Sequence, residues 1–238
     1  LIQLLLVAIL VFFIIYSITV SNRATQNQVW AGLARETAHQ LGTPLSSLQG
    51  WIEMLKEEGT PTETLAELQK DVDRLKLISD RFSKIGSIPK LENSDIISQI
   101  RQMIEYIRKR TTSKVEFSLE THGVREAEAA ISRPLFDWVL ENLFKNALDA
   151  MEGKGKISVD IRNEQQQVVV DVTDTGKGIS SANIRRVFNP GFTTKKRGWG
   201  LGLTLSKRIM EEYHKGELFV KHSEPGKGTT FRIVLKNS

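Results

Sequence analysis

The sequence predicts a multidomain α and α+β chain in three parts: a transmembrane helix, an antiparallel helical hairpin that dimerises as a four-helix bundle, and an α/β sandwich. Three observations predict this fold class. Residues 1–20 are uncharged and mostly apolar, residues 22–85 repeat apolar side chains at helical spacing, and residues 87–238 mix helical patterns with short β-type runs. A length of 238 residues fits one large domain or two small ones.

The composition is that of an ordinary globular protein, with 40% hydrophobic and 26% charged residues. The formal net charge of +5 is mild and favours anionic ligands or a membrane surface. No basic run is interleaved with aromatic residues, so we expect no nucleic-acid binding. The absence of cysteine excludes disulfides and thiolate chemistry and agrees with a reducing compartment.

Residues 1–20 carry no charge and one strongly polar side chain, Gln3. Twenty helical residues span about 30 Å, the thickness of a bilayer's hydrocarbon core, and a buried core helix is the alternative. A basic start and a small-residue cleavage site are both missing, unlike in a signal peptide. Arg23 and Arg35 precede the first acidic residue, Glu36, which favours a cytoplasmic location for the rest of the chain. Because the chain does not begin with Met, we expect it to be part of a longer protein.

Two amphipathic helices come after the apolar segment. The apolar stripe of the first consists of Val29, Leu33, Leu41, Leu45, Leu48, Ile52 and Leu55. That helix is expected to end near Gly59, and Thr60, Pro61 and Glu63 form the start signal of the next. The stripe of the second helix consists of Leu65, Leu68, Val72, Leu75, Ile78, Phe82 and Ile85. The short connection predicts an antiparallel hairpin.

Two helices alone leave apolar stripes poorly covered, so the hairpin predicts a homodimer with a four-helix bundle. The alternative is a monomer whose hairpin packs on its own C-terminal domain. The break at residues 86–89 marks a boundary. We therefore divide the chain into residues 1–20, 21–86 and 87–238.

The third part is predicted to contain helices near residues 95–110, 132–151 and 201–214. Strands are predicted near residues 115–119, 156–161, 167–172, 216–221 and 229–235. Four or five strands with segregated helices indicate an α/β sandwich.

A histidine lies in the first helix of the hairpin. His39 and Thr43 share one helical face, and Pro44 deprives the Gln40 carbonyl of its usual helical partner. His39 is out of phase with the apolar stripe and is expected to point outward. By itself this stretch fits either a reactive histidine beside a distorted turn or a solvated histidine on a kinked helix.

Four downstream clusters carry chemistry. Asn142 and Asn146 share a helical face, followed by Asp149, and amide oxygens at this spacing can hold Mg²⁺ or its waters. Asp174 to Gly178 ends a strand, where an aspartate can accept a hydrogen bond from an exocyclic amine and glycines permit close approach. Residues 188–195 combine two aromatics and a cation, and residues 198–203 place glycines at a helix start, a ready phosphate site.

Each cluster alone is a weak signal, but their order resembles that of the sensor histidine kinases of two-component systems. These kinases belong to an ATPase superfamily that includes DNA gyrase and a heat-shock chaperone family. The resemblance covers roughly residues 30–236 and five motifs: the histidine box (39–45), N box (142–146), first glycine box (174–178), phenylalanine box (188–195) and second glycine box (198–203). It implies a Bergerat-type (GHKL) ATP-binding domain with ATP and Mg²⁺ as cofactors.

The resemblance implies that His39 accepts the γ-phosphoryl group of ATP and passes it to an aspartate of a response-regulator receiver domain. Asn146 would coordinate Mg²⁺, Asn142 would position the phosphates, and Asp174 would bind the adenine amino group. Gly176 and Gly178 would let the nucleotide approach closely.

The resemblance also implies a mobile ATP lid from about residue 177 to 198. Gly198, Gly200, Leu201 and Gly202 would shape its end and the phosphate-facing helix start. Lys195 is placed either to meet a phosphate or to remain solvated, while Phe188 and Phe192 are expected to pack the lid. Thr43 matches the residue that orients water for dephosphorylating the regulator, and the alternative is a hydroxyl satisfied within its own helix.

Two residues depart from the family pattern. Most relatives with this histidine box carry Glu or Asp where this chain has Gln40, and an amide cannot take the imidazole proton. Glu36, one turn before His39, is a substitute base. Asp149 stands where many sensor kinases have a basic residue. The stretch from Asn146 to Ala150 is closer to that of nitrogen-regulation-type kinases and of other members of the ATPase superfamily, so no phosphate contact is expected from Asp149.

The resemblance therefore implies a membrane-anchored sensor kinase in a bacterial inner membrane, with its catalytic part in the cytoplasm. Two alternatives stay open: a phosphatase-dominant sensor with weak autokinase activity, and an ATP-gated interaction module without phosphoryl transfer.

Overall fold

The computed structural model describes residues 3, 9–14, 16–17, 41, 44–59, 61–85, 89–111, 114–195 and 200–237, with only the backbone of residues 74, 77, 78 and 80–85. The chain divides into two compact units, Leu1–Ile88 and Pro89–Ser238. Each unit has its own cluster of buried apolar side chains.

The first unit contains a helical hairpin. Residues 44–57 are helical (α1), and Gly59 ends that segment with a positive φ of 79°, which glycine adopts without steric cost. The second helix, α2, spans Thr62–Ile85. One small apolar cluster joins the two helices and consists of Leu45, Ile52, Leu65 and Val72. All four belong to the predicted stripes.

Residues 9–14 at the N-terminus are helical and exposed, but most of the predicted span over residues 1–20 lies outside the described residues. In the part of the chain that the structure describes, no helix is long and apolar enough to cross a membrane.

The second unit is a five-stranded sheet covered on one face by helices. Its strands are β2 (Val115–Glu120), β4 (Gly155–Glu164), β5 (Gln167–Asp174), β6 (Glu217–Glu224) and β7 (Gly228–Lys236), in the order β2-β4-β5-β7-β6. The β2–β4 pair is parallel and the other pairs are antiparallel. The predicted strands are thus all present, extended by one to three residues at several ends.

The helices of this unit are α3 (Ile96–Arg108), α4 (Arg133–Ala150), α5 (Ser181–Ile184) and α6 (Gly202–Arg208). The predicted helix over residues 201–214 becomes a π-helical turn after Arg208, from Ile209 to Tyr213. A short two-stranded sheet, β1 (Glu92–Asp95) with β3 (Glu128–Ile131), was not predicted, because four-residue strands carry too short a pattern.

The core lies between the sheet and helices α3 and α4. Strand β4 buries Ile157, Val159 and Ile161 and turns the alternate residues outward, the period of a half-buried strand. Helix α4 contributes Phe136 and Phe144, both fully buried. This packing fixes α4 across the sheet, so the predicted N box lies on a rigid element.

Candidate functional site

Helix α4 presents the predicted N box. It begins after Ser132, with Pro134 in its first turn, as the sequence predicts. The Asn142 side chain donates a hydrogen bond from Nδ2 to Ser206 Oγ at 2.9 Å. Ser206 lies on α6 and is 2% exposed. The two motifs on α4 and α6 are therefore joined by a buried polar contact.

Sequence reasoning missed Ser206. The available signal was its position four residues after Gly202, which places both on one face of α6 toward α4. Gly202 itself packs so closely on Asn142 that an added Cβ would lie 3.2 Å from Nδ2 and closer still to Oδ1. The close approach explains why glycine stands at that position.

Asp174 ends β5 and is 4% exposed. Its Oδ1 accepts a hydrogen bond from the backbone N–H of Gly176 at 2.8 Å. Burial raises the pKa of Asp174 above its ordinary value, and backbone hydrogen bonds from Gly176 and Thr229 offset only part of this effect. The result is a buried carboxylate that accepts two backbone hydrogen bonds and has further lone pairs for another donor.

The loop after Asp174 is anchored to the end of α4. A Cβ on Gly176 would lie 2.7 Å from the Ala150 carbonyl carbon, and the Lys177 N–H donates to the Ala150 carbonyl at 3.0 Å. Gly178 adopts a φ of 70° against the Glu224 backbone. Only glycine tolerates both positions, so the two predicted glycines shape this turn.

The far end of the predicted lid is also tied down. The Gly191 N–H donates to the Gly200 carbonyl at 3.2 Å, and Thr204 Oγ1 donates to the Phe188 carbonyl at 2.9 Å. The Phe188 ring packs edge-on against Phe231 of β7 with centroids 6.4 Å apart. The phenylalanine box therefore contacts both the sheet and the start of α6.

Lys195 reaches back to α4. Its Nζ donates to Asn146 Oδ1 at 2.8 Å and to Asp149 Oδ2 at 2.6 Å. The Lys195 ammonium group thus contacts the Asn146 amide oxygen, which is the atom predicted to bind a metal. This oxygen is therefore accessible and oriented toward a positive charge. A single amide ligand fits Mg²⁺, which keeps several waters and binds substrate phosphates as well.

Nine of the predicted site residues lie in the described part of the second unit: Asn142, Asn146, Asp174, Gly176, Gly178, Lys195, Gly200, Leu201 and Gly202. The other five lie outside the described residues: Glu36, His39, Gln40, Thr43 and Gly198. Where residues are described, no group of three or more histidine or acidic side chains is arranged to hold a metal. Mg²⁺ at this site would be held by the Asn146 amide oxygen together with the phosphates of a bound nucleotide.

Family models match both units of the chain. Residues 132–238 match the model for the histidine kinase-, DNA gyrase B- and HSP90-like ATPase. Residues 30–88 match the model for the His Kinase A phospho-acceptor domain.

Two curated relatives are similar over most of the chain. The nitrogen regulation protein NtrY of Azorhizobium caulinodans is 29% identical over 90% of this chain and 29% of its own length. The sensor histidine kinase ZraS of Salmonella typhimurium is 32% identical over 85% of this chain and 45% of its own length. The chain therefore spans less than half the length of either relative.

A solved structure supports the fold of the second unit. The nucleotide-free catalytic domain of the histidine kinase ThkA is 28% identical, with a TM-score of 0.54, and covers 62% of this chain and 95% of that domain. The matched folds, the two family models and the relatives agree, and the chain belongs to the sensor histidine kinases.

Proposed function

We propose that the chain is the membrane-anchored catalytic core of a dimeric sensor histidine kinase. Residues 1–20 form the membrane anchor, residues 21–86 the dimerisation and phosphotransfer hairpin, and residues 87–238 the ATP-binding domain. The observation that carries the proposal is that three features meet one helix, α4: the turn after Asp174 at Ala150, Lys195 at Asn146, and the start of α6 at Asn142. In the proposal these features supply an adenine acceptor and a phosphate-binding helix end.

ATP would bind with its adenine amino group donating to Asp174, next to the close-approach glycines Gly176 and Gly178. Asn142 and the backbone near Gly200, Leu201 and Gly202 would face the phosphates. Lys195 belongs to the segment that closes over them and brings a positive charge. Mg²⁺ on Asn146 would neutralise part of the phosphate charge.

In the reaction, a neutral imidazole nitrogen of His39 attacks the γ-phosphorus of ATP. The bond from that phosphorus to the oxygen bridging to the β-phosphate breaks, and ADP leaves. The imidazole gives up its N–H proton, to Glu36 or to water, because Gln40 has no basic atom for it. The phosphoryl group then passes to an aspartate of a receiver domain, and Thr43 would orient water when that aspartyl phosphate is hydrolysed.

Homodimerisation is supported by what the hairpin leaves uncovered. Leu48, Leu68 and Leu75 of the predicted stripes are 41–42% exposed in the single chain, and Trp51 is 61% exposed. A second hairpin would bury these side chains in a four-helix bundle.

The membrane proposal rests on residues 1–20, which include exposed Leu10, Phe12 and Phe13 (59%, 71% and 68%). Such side chains are stable in a hydrocarbon environment. The anchor would lie in a bacterial inner membrane, with both other parts on the cytoplasmic side.

Gln40 supports a second candidate, a sensor that works mainly as a phosphatase and has weak autokinase activity. Loss of a general base slows phosphoryl acceptance by about 10²-fold or more without removing the ATP site. An ATP-gated interaction module is the remaining alternative.

Incubation with γ-labelled ATP and Mg²⁺ tests these proposals. The kinase proposal predicts an acid-labile label on the wild-type chain and none on His39→Gln. A full label on His39→Gln would exclude His39 as the phosphoacceptor. No label on the wild-type chain would exclude kinase activity. A Gln40→Glu variant that labels much faster would support the phosphatase-weighted candidate.

A further inference from the structure

One cation and two acceptors meet at the surface of α4. Lys195 Nζ lies 2.8 Å from Asn146 Oδ1 and 2.6 Å from Asp149 Oδ2. Asn146 and Asp149 are three residues apart on α4 and therefore adjacent on one face. The lysine comes from a segment nearly fifty residues later, so this is a tertiary contact.

The two acceptors differ in what they contribute. The Asn146 amide is neutral and holds an ammonium group weakly, whereas the Asp149 carboxylate supplies the opposite charge. Without Asp149, Lys195 would have a single neutral partner among these contacts. Asp149 thus determines where the lysine rests.

We propose that Asp149 is a positioning residue that docks Lys195 on the amide oxygen of Asn146, so that a magnesium-nucleotide complex must displace the lysine to bind. The inference rests on the nucleotide site of the proposed function. The ammonium group and Mg²⁺ compete for one oxygen atom, because two cations held on the same oxygen repel each other. Once displaced, Lys195 is free to approach the phosphates.

The size of the effect follows from the exposure of the pair. The side chains of Lys195 and Asp149 are 40% and 57% exposed, so solvent screens their attraction. Exposed ion pairs of this kind change an equilibrium by about two- to five-fold. The docked lysine would therefore tune the Mg²⁺ requirement and would not block the site.

The chain offers a matched control. Glu152 lies three residues after Asp149, in the turn that follows α4, and lines the same depression as Asp149 and Lys195. Removing either acid makes the depression less negative by one charge and favours an anionic nucleotide to a similar degree. Lys195 forms an ion pair with Asp149, whereas Glu152 only shares the depression with it, so the difference between the two variants isolates the docking.

The experiment measures binding of a fluorescent ATP analogue to the full chain at graded Mg²⁺ concentrations. Asp149→Asn is expected to lower the Mg²⁺ concentration at half-maximal binding about two- to five-fold more than Glu152→Gln does. In a Lys195→Ala background the two acid variants should behave alike. Unchanged melting temperatures would show that all variants are folded.

Three outcomes would overturn the inference: equal shifts for Asp149→Asn and Glu152→Gln, a gain that persists without Lys195, or a higher Mg²⁺ requirement in Asp149→Asn. The last outcome would make Asp149 part of the metal site. A wild-type chain that binds no nucleotide at any Mg²⁺ concentration would instead refute the proposed function itself.

Discussion

The side-chain amide of Asn142 donates a hydrogen bond to the hydroxyl of Ser206 at 2.9 Å, and this contact joins α4 to α6. Because Nδ2 is committed to Ser206, the orientation of the amide is fixed before any ligand binds. Gly202 lies against the same side chain. The two boxes that face the phosphates in the proposed site therefore form one packed unit.

Gly202→Ala is expected to weaken nucleotide binding about ten-fold. The added methyl group overlaps the terminal amide of Asn142, so this side chain must move away from Ser206 and from the phosphates, and the loss of one hydrogen bond costs about 0.5–1.5 kcal/mol. Isothermal titration with a nonhydrolysable ATP analogue measures the loss. Gly50→Ala is the control, because an added Cβ there meets no atom within 4 Å. Equal affinity of the two variants would show that the Gly202–Asn142 contact does not shape the site.

Asp174→Asn is expected to weaken ATP binding about 10- to 100-fold, because hydrogen bonds to charged groups contribute about 1.5–3 kcal/mol. If the substituted side chain keeps its amide oxygen on the Gly176 N–H, its NH₂ group faces the adenine amine, and two donors repel. Burial raises the pKa of Asp174, so the charged form is disfavoured in the folded state.

The nucleotide-free Asp174→Asn chain should consequently melt at the same temperature as the wild type or higher. Calorimetry and nucleotide titration on the same sample check both statements. A variant that loses stability and affinity together would indicate a structural role for Asp174 and not recognition of adenine.

Every long helix and strand of the second unit could be predicted from the sequence. The places of Asn142 and Asn146 on one face of α4 and of Asp174 at the end of β5 were predictable from helical spacing and from the alternating pattern of the strand. The Ser206 and Lys195 contacts were not, because they depend on which face of α6 packs on α4 and where a segment without periodicity returns. The polar network around Asp171 was also missed, since each member alone resembles a solvated residue on the outer face of a strand.

Asp171→Asn is expected to destabilise the second unit by about 2 kcal/mol. The carboxylate is 4% exposed and contacts Arg162, Lys221 and Arg232 at 2.6–2.7 Å. Burial alone raises the pKa of Asp171, but the hydrogen bonds from Arg232 and Lys221 outweigh it and hold the pKa below its ordinary value. Its stabilisation is therefore fully present above about pH 4 and lost as the pH falls through the lowered pKa.

Chemical denaturation of both chains at pH 7 and at acid pH measures this effect, and the difference between them should shrink in acid. Glu105→Gln serves as the control, because its pair with Arg108 is about half exposed on both sides and is worth less than about 0.5 kcal/mol. Equal losses for the two variants would contradict the role of burial.

Leu68→Glu combined with Leu75→Glu is expected to shift the protein from dimer to monomer. The two leucines are seven residues apart on one face of α2, and each is 41% exposed in the single chain. Charges placed there cannot be buried against a second hairpin without a large desolvation penalty. Ala66→Glu, on a different face of α2, is the control. Analytical ultracentrifugation in detergent checks the result, and a dimer that survives both substitutions would exclude this face as the interface.

The burial of His214 predicts that the folded chain loses stability in mild acid. Its Nε2 accepts a hydrogen bond from the Ser132 N–H at 3.0 Å, and its Nδ1 donates to the Ile209 carbonyl at 3.0 Å. Burial lowers the pKa of His214, because the imidazolium form is poorly solvated there. A protonated ring would also lose its capacity to accept from the N–H of Ser132, the residue directly before the helix that carries Asn142.

Above about pH 6.5 the ring is neutral in both the folded and the unfolded chain, so it contributes no pH dependence. As the pH falls below that value, the unfolded chain binds a proton that the folded chain excludes, and the free energy of unfolding decreases by up to about 1.4 kcal/mol per pH unit. Urea denaturation between about pH 7.5 and 5 measures this slope. His214→Gln should remove it and the exposed His222→Gln should leave it unchanged, whereas equal slopes in both variants would assign the acid sensitivity to another group.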